Sequence, residues 1–249
     1  MGLELHHIAA GYGSQRIVFD VSAVFESGKV SAIIGPNGAG KSTLIKALFG
    51  QARLFRGDVS LDGRKLEQIS PRALVQQGVA YVPQLANVFP TLSVRENLEI
   101  GTYVRSGDAW ERVLGLFPDL RSVLRVPAGK LSGGQRNMVA IGRALMSDPR
   151  VLLLDEATAG LSPALAEGVW GHLTRLARDG LAVCVVEQNV RAALDYSDYV
   201  YLLTSGRVRL QGPTATVATD GELERLFLGS GEVEMAADTS TRGGTEGWK

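Results

Sequence analysis

What this chain lacks narrows it first. Cys184 is the only cysteine in 249 residues, so no disulfide can form within the chain. It lies in the apolar run Leu181 to Val186, where a buried, reduced thiol is expected. An excess of one charge is missing as well. The 26 basic side chains balance 26 acidic ones, and no overall field draws the protein onto nucleic acid or anionic lipid. No segment approaches the roughly 18 uninterrupted apolar residues of a membrane span, and the N-terminus has no charged stretch leading into an apolar one. A soluble, cytoplasmic chain without direct membrane insertion and without a nucleic-acid partner is expected. The histidines, His6, His7 and His172, have no partners at metal-ligand spacing and read as surface or structural residues.

What is there is a set of phosphate-handling motifs. The strand-like Val30 to Ile34 is followed by Gly35-Pro36-Asn37-Gly38-Ala39-Gly40-Lys41-Ser42, then by Thr43 and the helix-like Leu44 to Phe49. This is a P-loop in the context it requires, strand before and helix after. Its glycines let backbone N–H groups wrap phosphates without interference from Cβ atoms. Lys41 brings charge to the β and γ phosphates, and Ser42 offers a hydroxyl to Mg²⁺. Further on, Leu131-Ser132-Gly133-Gly134-Gln135 opens an apolar helical stretch, with Ser132 as N-cap and Gln135 as its capping-box partner. The free N–H groups and positive dipole end of that helix suit an anion.

Val151 to Leu154 is a continuous apolar run that ends in Asp155-Glu156. Such a run predicts a strand buried on both faces of a parallel sheet, and its carboxyl end points into the crevice where such sheets bind ligands. Asp155 is placed to hold Mg²⁺ through water and Glu156 to polarise an attacking water. Ala182 to Val186, another buried strand, leads into Glu187-Gln188-Asn189.

Around these motifs the pattern predicts a small antiparallel group from Leu3-Glu4-Leu5 and Val18 to Phe25, with Tyr12 in a loop between Gly11 and Gly13. A strand over Asp58 to Leu61, a turn at Asp62-Gly63 and a short helix capped by Ser70 follow. Val79 to Val82 is a strand ending in Pro83-Gln84. Residues 85 to 146 read as a mainly helical insertion, with helices over Val94 to Tyr103 and Ala109 to Phe117 separated by Ser106-Gly107-Asp108. Trp110 there belongs to core or interface. Ser162-Pro163 starts a helix running towards Asp179-Gly180. Tyr199 to Leu203 and Arg207 to Leu210 form a closing hairpin through Ser205-Gly206. The glycine-rich tail, residues 230–249, is expected to be disordered.

Taken in this order, Gly35 to Ser42, Gln84, Leu131 to Gln135, Val151 to Glu156 and Gln188 resemble an ATP-binding-cassette ATPase over residues 1 to about 229. The resemblance implies an α/β fold: a P-loop NTPase core with a mainly parallel sheet, an N-terminal antiparallel β subdomain and a helical insertion. It implies ATP and Mg²⁺, with Tyr12 as the adenine platform, Gln84 as the Q-loop glutamine near the metal, and Glu156 as the catalytic glutamate. Leu131 to Gln135 becomes the signature that closes over the P-loop of another subunit. Two ATP molecules are then sandwiched between two ATPase subunits, as a heterodimer or a homodimer, which dock on transmembrane permeases through the region near residues 85 to 105.

The wording Val82-Pro83-Gln84, Phe89-Pro90-Thr91-Leu92-Ser93-Val94 and Val186-Glu187-Gln188-Asn189 is similar to the second ATPase subunit of branched-chain amino acid importers, or of urea and amide importers. That subgroup commonly carries glutamine, here Gln188, in place of the switch histidine. Two departures accompany it: Ala157 stands where proline is common, and Ser162 where aspartate is usual. The alternatives are a regulatory ATP-binding subunit with weak hydrolysis and a soluble non-transport ATPase of the same family.

Overall fold

The computed structural model describes residues 2–67, 69–85, 87–103, 109–219, 221 and 223. The expectations for Ser106-Gly107-Asp108 and for the tail 230–249 lie outside the described residues.

The chain begins with two long strands, β1 (Gly2–Tyr12) and β2 (Gln15–Glu26), followed by β3 (Val30–Ile34), helix α1 (Lys41–Leu48), β4 (Arg53–Leu61) and the short β5 (Arg64–Lys65). Helix α2 (Pro71–Gln76) leads into β6 (Val79–Val82). A helical stretch follows, α3 (Val94–Ile100), α4 (Ala109–Leu116), α5 (Leu120–Val123) and α6 (Gly133–Leu145). Then come β7 (Val151–Asp155), α7 (Pro163–Arg178), β8 (Ala182–Glu187), α8 (Val190–Tyr196), β9 (Tyr199–Thr204), β10 (Arg207–Pro213) and α9 (Thr214–Val217).

Among the described residues the strands make two sheets, β2-β1-β4-β5 and β10-β9-β3-β8-β7-β6. The first is antiparallel throughout. In the second, β9, β3, β8, β7 and β6 run parallel, and only β10 turns back against its neighbour. Every residue of β3, β7 and β8 is buried, which is why these strands are apolar on both faces. Period-two alternation divides β7 and β8 between two cores. Val151, Leu153, Cys184 and Val186 face a layer shared with β1, β2 and α1, whereas Leu152, Leu154, Val183 and Val185 pack with α3, α4, α6 and α7.

The long edge of the fold departs from the sequence reading. β1 extends over eleven residues, and Tyr12 closes it, paired with Gln15, instead of lying in a loop. The helix expected over Val94 to Tyr103 is α-helical only to Ile100, with Gly101–Tyr103 tightened into a 3-10 turn. α5 and the 3-10 turn Ala128–Lys130 add to the helical elements expected there.

This topology positions the chemistry. β8 lies between β3 and β7, so the carboxyl ends of three adjacent parallel strands deliver the Gly35–Ser42 loop, Gln188 and the Asp155-Glu156 pair to one edge of the sheet.

Candidate functional site: a phosphate loop beside two carboxylates

The loop after β3 is shaped by backbone demands that only glycine meets. Gly35 has φ 153, and a Cβ there would come within 2.1 Å of the Leu203 carbonyl oxygen. Gly40 caps α1 in the left-handed region at φ 100, where a side chain is disfavoured. Lys41, only 5% exposed, folds back over this loop, its Nζ donating to the carbonyl oxygens of Gly35 (2.8 Å) and Pro36 (3.1 Å). An ammonium has three donors, so one is left for an anion at the mouth of α1. Burial lowers the pKa of Lys41, while the charges of Glu156, Asp155 and Glu187 act in the opposite direction.

Ser42, one residue on, donates from Oγ to Asp155 Oδ1 at 2.7 Å. Asp155 is fully buried at the end of β7, and burial raises its carboxyl pKa against the opposing hydrogen bond from Ser42. Its second oxygen receives a long hydrogen bond from the Tyr81 hydroxyl (3.4 Å), with Lys46 Nζ 3.9 Å away. Tyr81, raised in pKa by burial first and Asp155 second, stacks on Phe49 at 4.9 Å. Ser42 and Asp155 offer hard oxygen donors side by side, the set that suits Mg²⁺, which takes one or two protein oxygens and completes its shell with water and phosphate.

Glu156 follows in a left-handed backbone conformation, φ 51, fixed by its N–H donating to the Val186 carbonyl at 2.9 Å. Both of its carboxylate oxygens are occupied. Gln84 Nε2, from the end of β6, donates to Oε2, and Gln188 Nε2, from the end of β8, donates to Oε1. The structure thus brings Lys41, Ser42, Gln84, Asp155, Glu156 and Gln188 into one connected cleft. Tyr12 stands 47% exposed at its rim, near enough to Tyr81 to contribute to that residue's raised pKa.

Ser132-Gly133-Gly134-Gln135 lie elsewhere, at the head of α6. The capping box is complete, Ser132 Oγ accepting from Gln135 N–H and the Gln135 side chain accepting from Ser132 N–H. Among the described residues no hydrogen bond joins this segment to the phosphate loop. Its connection to the cleft is indirect: Asn137 on α6 donates to the Ala157 carbonyl, one residue beyond Glu156. Ser162 does sit at the N-cap of α7 with Pro163 behind it, but its hydroxyl makes no cap hydrogen bond.

Several residues at the site escaped sequence reading. Tyr81 is the one side chain with a polar group in the otherwise aliphatic β6. Lys46 is a cation four residues after Ser42 on α1, and that spacing was the available signal. Glu187 ends the apolar run of β8, and Asn137 lies two residues beyond the signature; neither stands in a pattern that marks it.

A glycine loop between a buried strand and a helix, a serine bonded to a strand-end aspartate and an adjacent glutamate define a P-loop nucleoside triphosphatase. A sequence model of the ABC transporter family matches residues 18–159. The chain belongs to that family: it is an ATP-binding subunit whose hydrolysis of ATP is coupled to transport, and such subunits pair with permeases and with another ATPase.

Among relatives, it is 42% identical over 225 residues to the "Probable branched-chain amino acid transport ATP-binding protein LivF" of Archaeoglobus fulgidus, spanning 88% of this chain and 95% of that one. It is 36% identical over 231 residues to the "High-affinity branched-chain amino acid transport ATP-binding protein BraG" of Pseudomonas aeruginosa, spanning 91% and 99%. The "Lipopolysaccharide export system ATP-binding protein LptB" of Haemophilus influenzae is 33% identical over 233 residues, with 91% and 97% spanned. The crystal structure of the ADP conformation of MJ1267, an ATP-binding cassette of an ABC transporter, superposes with a TM-score of 0.80 at 28% identity, covering 92% of this chain and 98% of that one. No helix among the described residues is long and apolar enough to cross a membrane.

Proposed function

We propose that this chain powers the import of branched-chain or closely related amino acids from the cytoplasmic face of a membrane, as one of two ATPase subunits held by permeases. The observation that carries this reading is the pair of relatives at 42% and 36% identity, both named for branched-chain amino acid transport and both matched over nearly their whole length. The lipopolysaccharide exporter, at 33%, is less similar.

The geometry supports a division of labour within the cleft. Lys41 and the N–H groups of Gly35, Asn37, Gly38, Ala39, Gly40, Ser42 and Thr43 cradle the phosphates, and Pro36, which has no N–H, shapes the turn. Ser42 and Asp155 would hold Mg²⁺, with Gln84 beside it. Such an ion would supply charge neutralisation for the phosphates. Glu156 orients the water, and Gln188 supplies a neutral amide that donates a hydrogen bond but carries no proton charge. Ser132, Gly133, Gly134 and Gln135 present their helix N-terminus to the nucleotide on a second ATPase subunit, which in this reading is a different chain. That they make no hydrogen bond to this chain's own phosphate loop among the described residues is consistent with that role.

The permease is met by the segment after β6. Leu85 is 77% exposed and Phe89 47%, yet the backbone between Phe89 and Ser93 is held firmly by Asn97. That fully buried amide accepts from Phe89 N–H and donates to the carbonyls of Phe89, Leu92 and Ser93. Arg143 stacks over the Phe89 ring at 5.0 Å and donates to the Asn87 carbonyl. Exposed apolar side chains on a fixed backbone suit a docking surface.

Reconstitution with the permeases and binding protein of its own transport system tests the cargo. ATP-dependent uptake of leucine, isoleucine or valine into vesicles is the expected result, and intact ATP hydrolysis with no uptake of any of the three would sink the cargo assignment. A separate measurement tests the base site. Tyr12→Ala is expected to weaken ATP binding roughly tenfold, the scale of one lost base-aromatic stack. Unchanged affinity by calorimetry would remove Tyr12 from the base site.

A further inference from the structure

Glu187 is a buried charge without a task. It ends β8, is 3% exposed, and sits one residue before Gln188. Burying a carboxyl group at the end of a central strand is costly unless it is hydrogen-bonded, and here both oxygens are used. Oε1 accepts from the Thr158 hydroxyl at 2.6 Å, and Oε2 accepts from the Gln188 backbone N–H at 3.3 Å. Thr158, itself 9% exposed, lies two residues after Glu156 on the turn that leaves β7. Its branched Cβ restricts χ1, so the hydroxyl is held in one direction.

The two bonds join the segments that bear the reacting pair. One segment carries Glu156 and then Thr158; the other carries Glu187 and then Gln188. Across their front, Gln188 Nε2 donates to Glu156 Oε1. Behind it, Thr158 and Glu187 close a second bridge, and the Glu156 N–H to Val186 carbonyl bond closes the ring. A carboxylate suits the rear position because in its ionised form it only accepts, and its two oxygens can meet donors from both segments. A glutamine there would set an NH₂ group against one of them.

We propose that Thr158 and Glu187 are positioning residues, a buried cross-tie that sets the spacing between the catalytic glutamate and Gln188. Neither touches the nucleotide in this scheme. They act by fixing the two backbones so that the Glu156 carboxylate and the Gln188 amide reach the γ-phosphate and its attacking water in register. The inference rests on the roles assigned to Glu156 and Gln188 above.

The test uses the transporter assembled with its permeases and second ATPase subunit, this chain carrying Thr158→Val, Thr158→Ser, Glu187→Gln or, as reference, Glu156→Gln. Thr158→Val keeps the shape of the side chain and removes only the hydroxyl. It is expected to lower kcat about ten- to hundredfold, the cost of a small misplacement of reacting groups. ATP affinity should stay at the wild-type value, Tm should fall by only a few degrees for the buried acceptor left without its partner, and Thr158→Ser should restore most of the rate and of Tm. Glu187→Gln should fall between the two.

An unchanged kcat in both Thr158→Val and Glu187→Gln overturns the cross-tie. So does a loss of kcat accompanied by equal losses of ATP affinity and Tm that Thr158→Ser fails to restore, because the pair would then only hold the fold together. Glu156→Gln separates the two levels of the argument. If it abolishes turnover while the Thr158 and Glu187 variants do not affect it, only the cross-tie falls. If it leaves turnover intact, the assignment of Glu156 falls and takes the cross-tie with it.

Discussion

Glu156→Gln is expected to lower ATP turnover about 10²- to 10⁴-fold, the range for losing a positioned general base, while ATP still binds. A thousandfold loss corresponds to about 4 kcal/mol of transition-state stabilisation. The phosphate loop is untouched by this change, and the new side chain has the same shape, so nucleotide affinity should be retained. What is lost is the acceptor. In the wild-type cleft one carboxylate takes amide hydrogens from Gln84 and Gln188 on its two oxygens. An amide at position 156 has one acceptor oxygen and must turn its NH₂ towards one of those donors. With binding intact and hydrolysis blocked, the ATP-bound pair of subunits should persist, visible as a dimer on size exclusion that does not decay with time. Hydrolysis at the wild-type rate would mean that Glu156 is not the base.

Lys41→Met is expected to act one step earlier, on the phosphates themselves. Nζ is anchored by the Gly35 and Pro36 carbonyls at the mouth of the loop. Its position there is set before a phosphate arrives, and preorganised charge of this kind stabilises a transition state most strongly. Turnover should fall about 10²- to 10³-fold on the scale of one lost preorganised donor. ATP affinity should fall with it, because Lys41 meets charge present in both ground and transition states. The split between kcat and KM therefore distinguishes the two variants: Glu156→Gln alters kcat nearly alone, and Lys41→Met alters both. Near-normal turnover and affinity in Lys41→Met would overturn the placement of the phosphates.

The parts of the fold legible in the sequence were those whose signal is local. β3, β6 and β7 were read with nearly their true bounds because both faces of each are covered, leaving short apolar runs between glycine, proline or charge. The long strands of the antiparallel sheet were read only in fragments. β1 was recognised at Leu3-Glu4-Leu5 but not through to Tyr12, because its alternation breaks at His7. There the backbone takes φ 53 opposite Asp20 at φ 59, and the register slips between Leu5 and Ile8. β4 was seen from Asp58 and not from Arg53, since Arg53 and Arg56 are exposed and Gly57 bends to φ 111 against the His6 and His7 carbonyls. α5 covers four residues, about one turn, too few for a helical period to show.

The site divides in the same way. Lys41, Ser42, Asp155 and Glu156 belong to motifs whose spacing carries their chemistry. Tyr81, Lys46, Thr158 and Glu187 make contacts that form only when β6, β7, β8 and α1 come together. Nothing in the linear order announces that Thr158 will meet Glu187.

Glu156 also leaves a mark on the protein's thermal tolerance. A residue other than glycine held in the left-handed region costs the fold about 1–2 kcal/mol, out of a total that for a typical domain is only about 5–15 kcal/mol. Glycine, which would sit there most easily, brings no carboxylate, and aspartate brings one that falls a methylene short. Selection for heat resistance and selection for turnover therefore pull against each other at this one position, and a heat-adapted version of this chain that keeps its activity must find its added stability elsewhere.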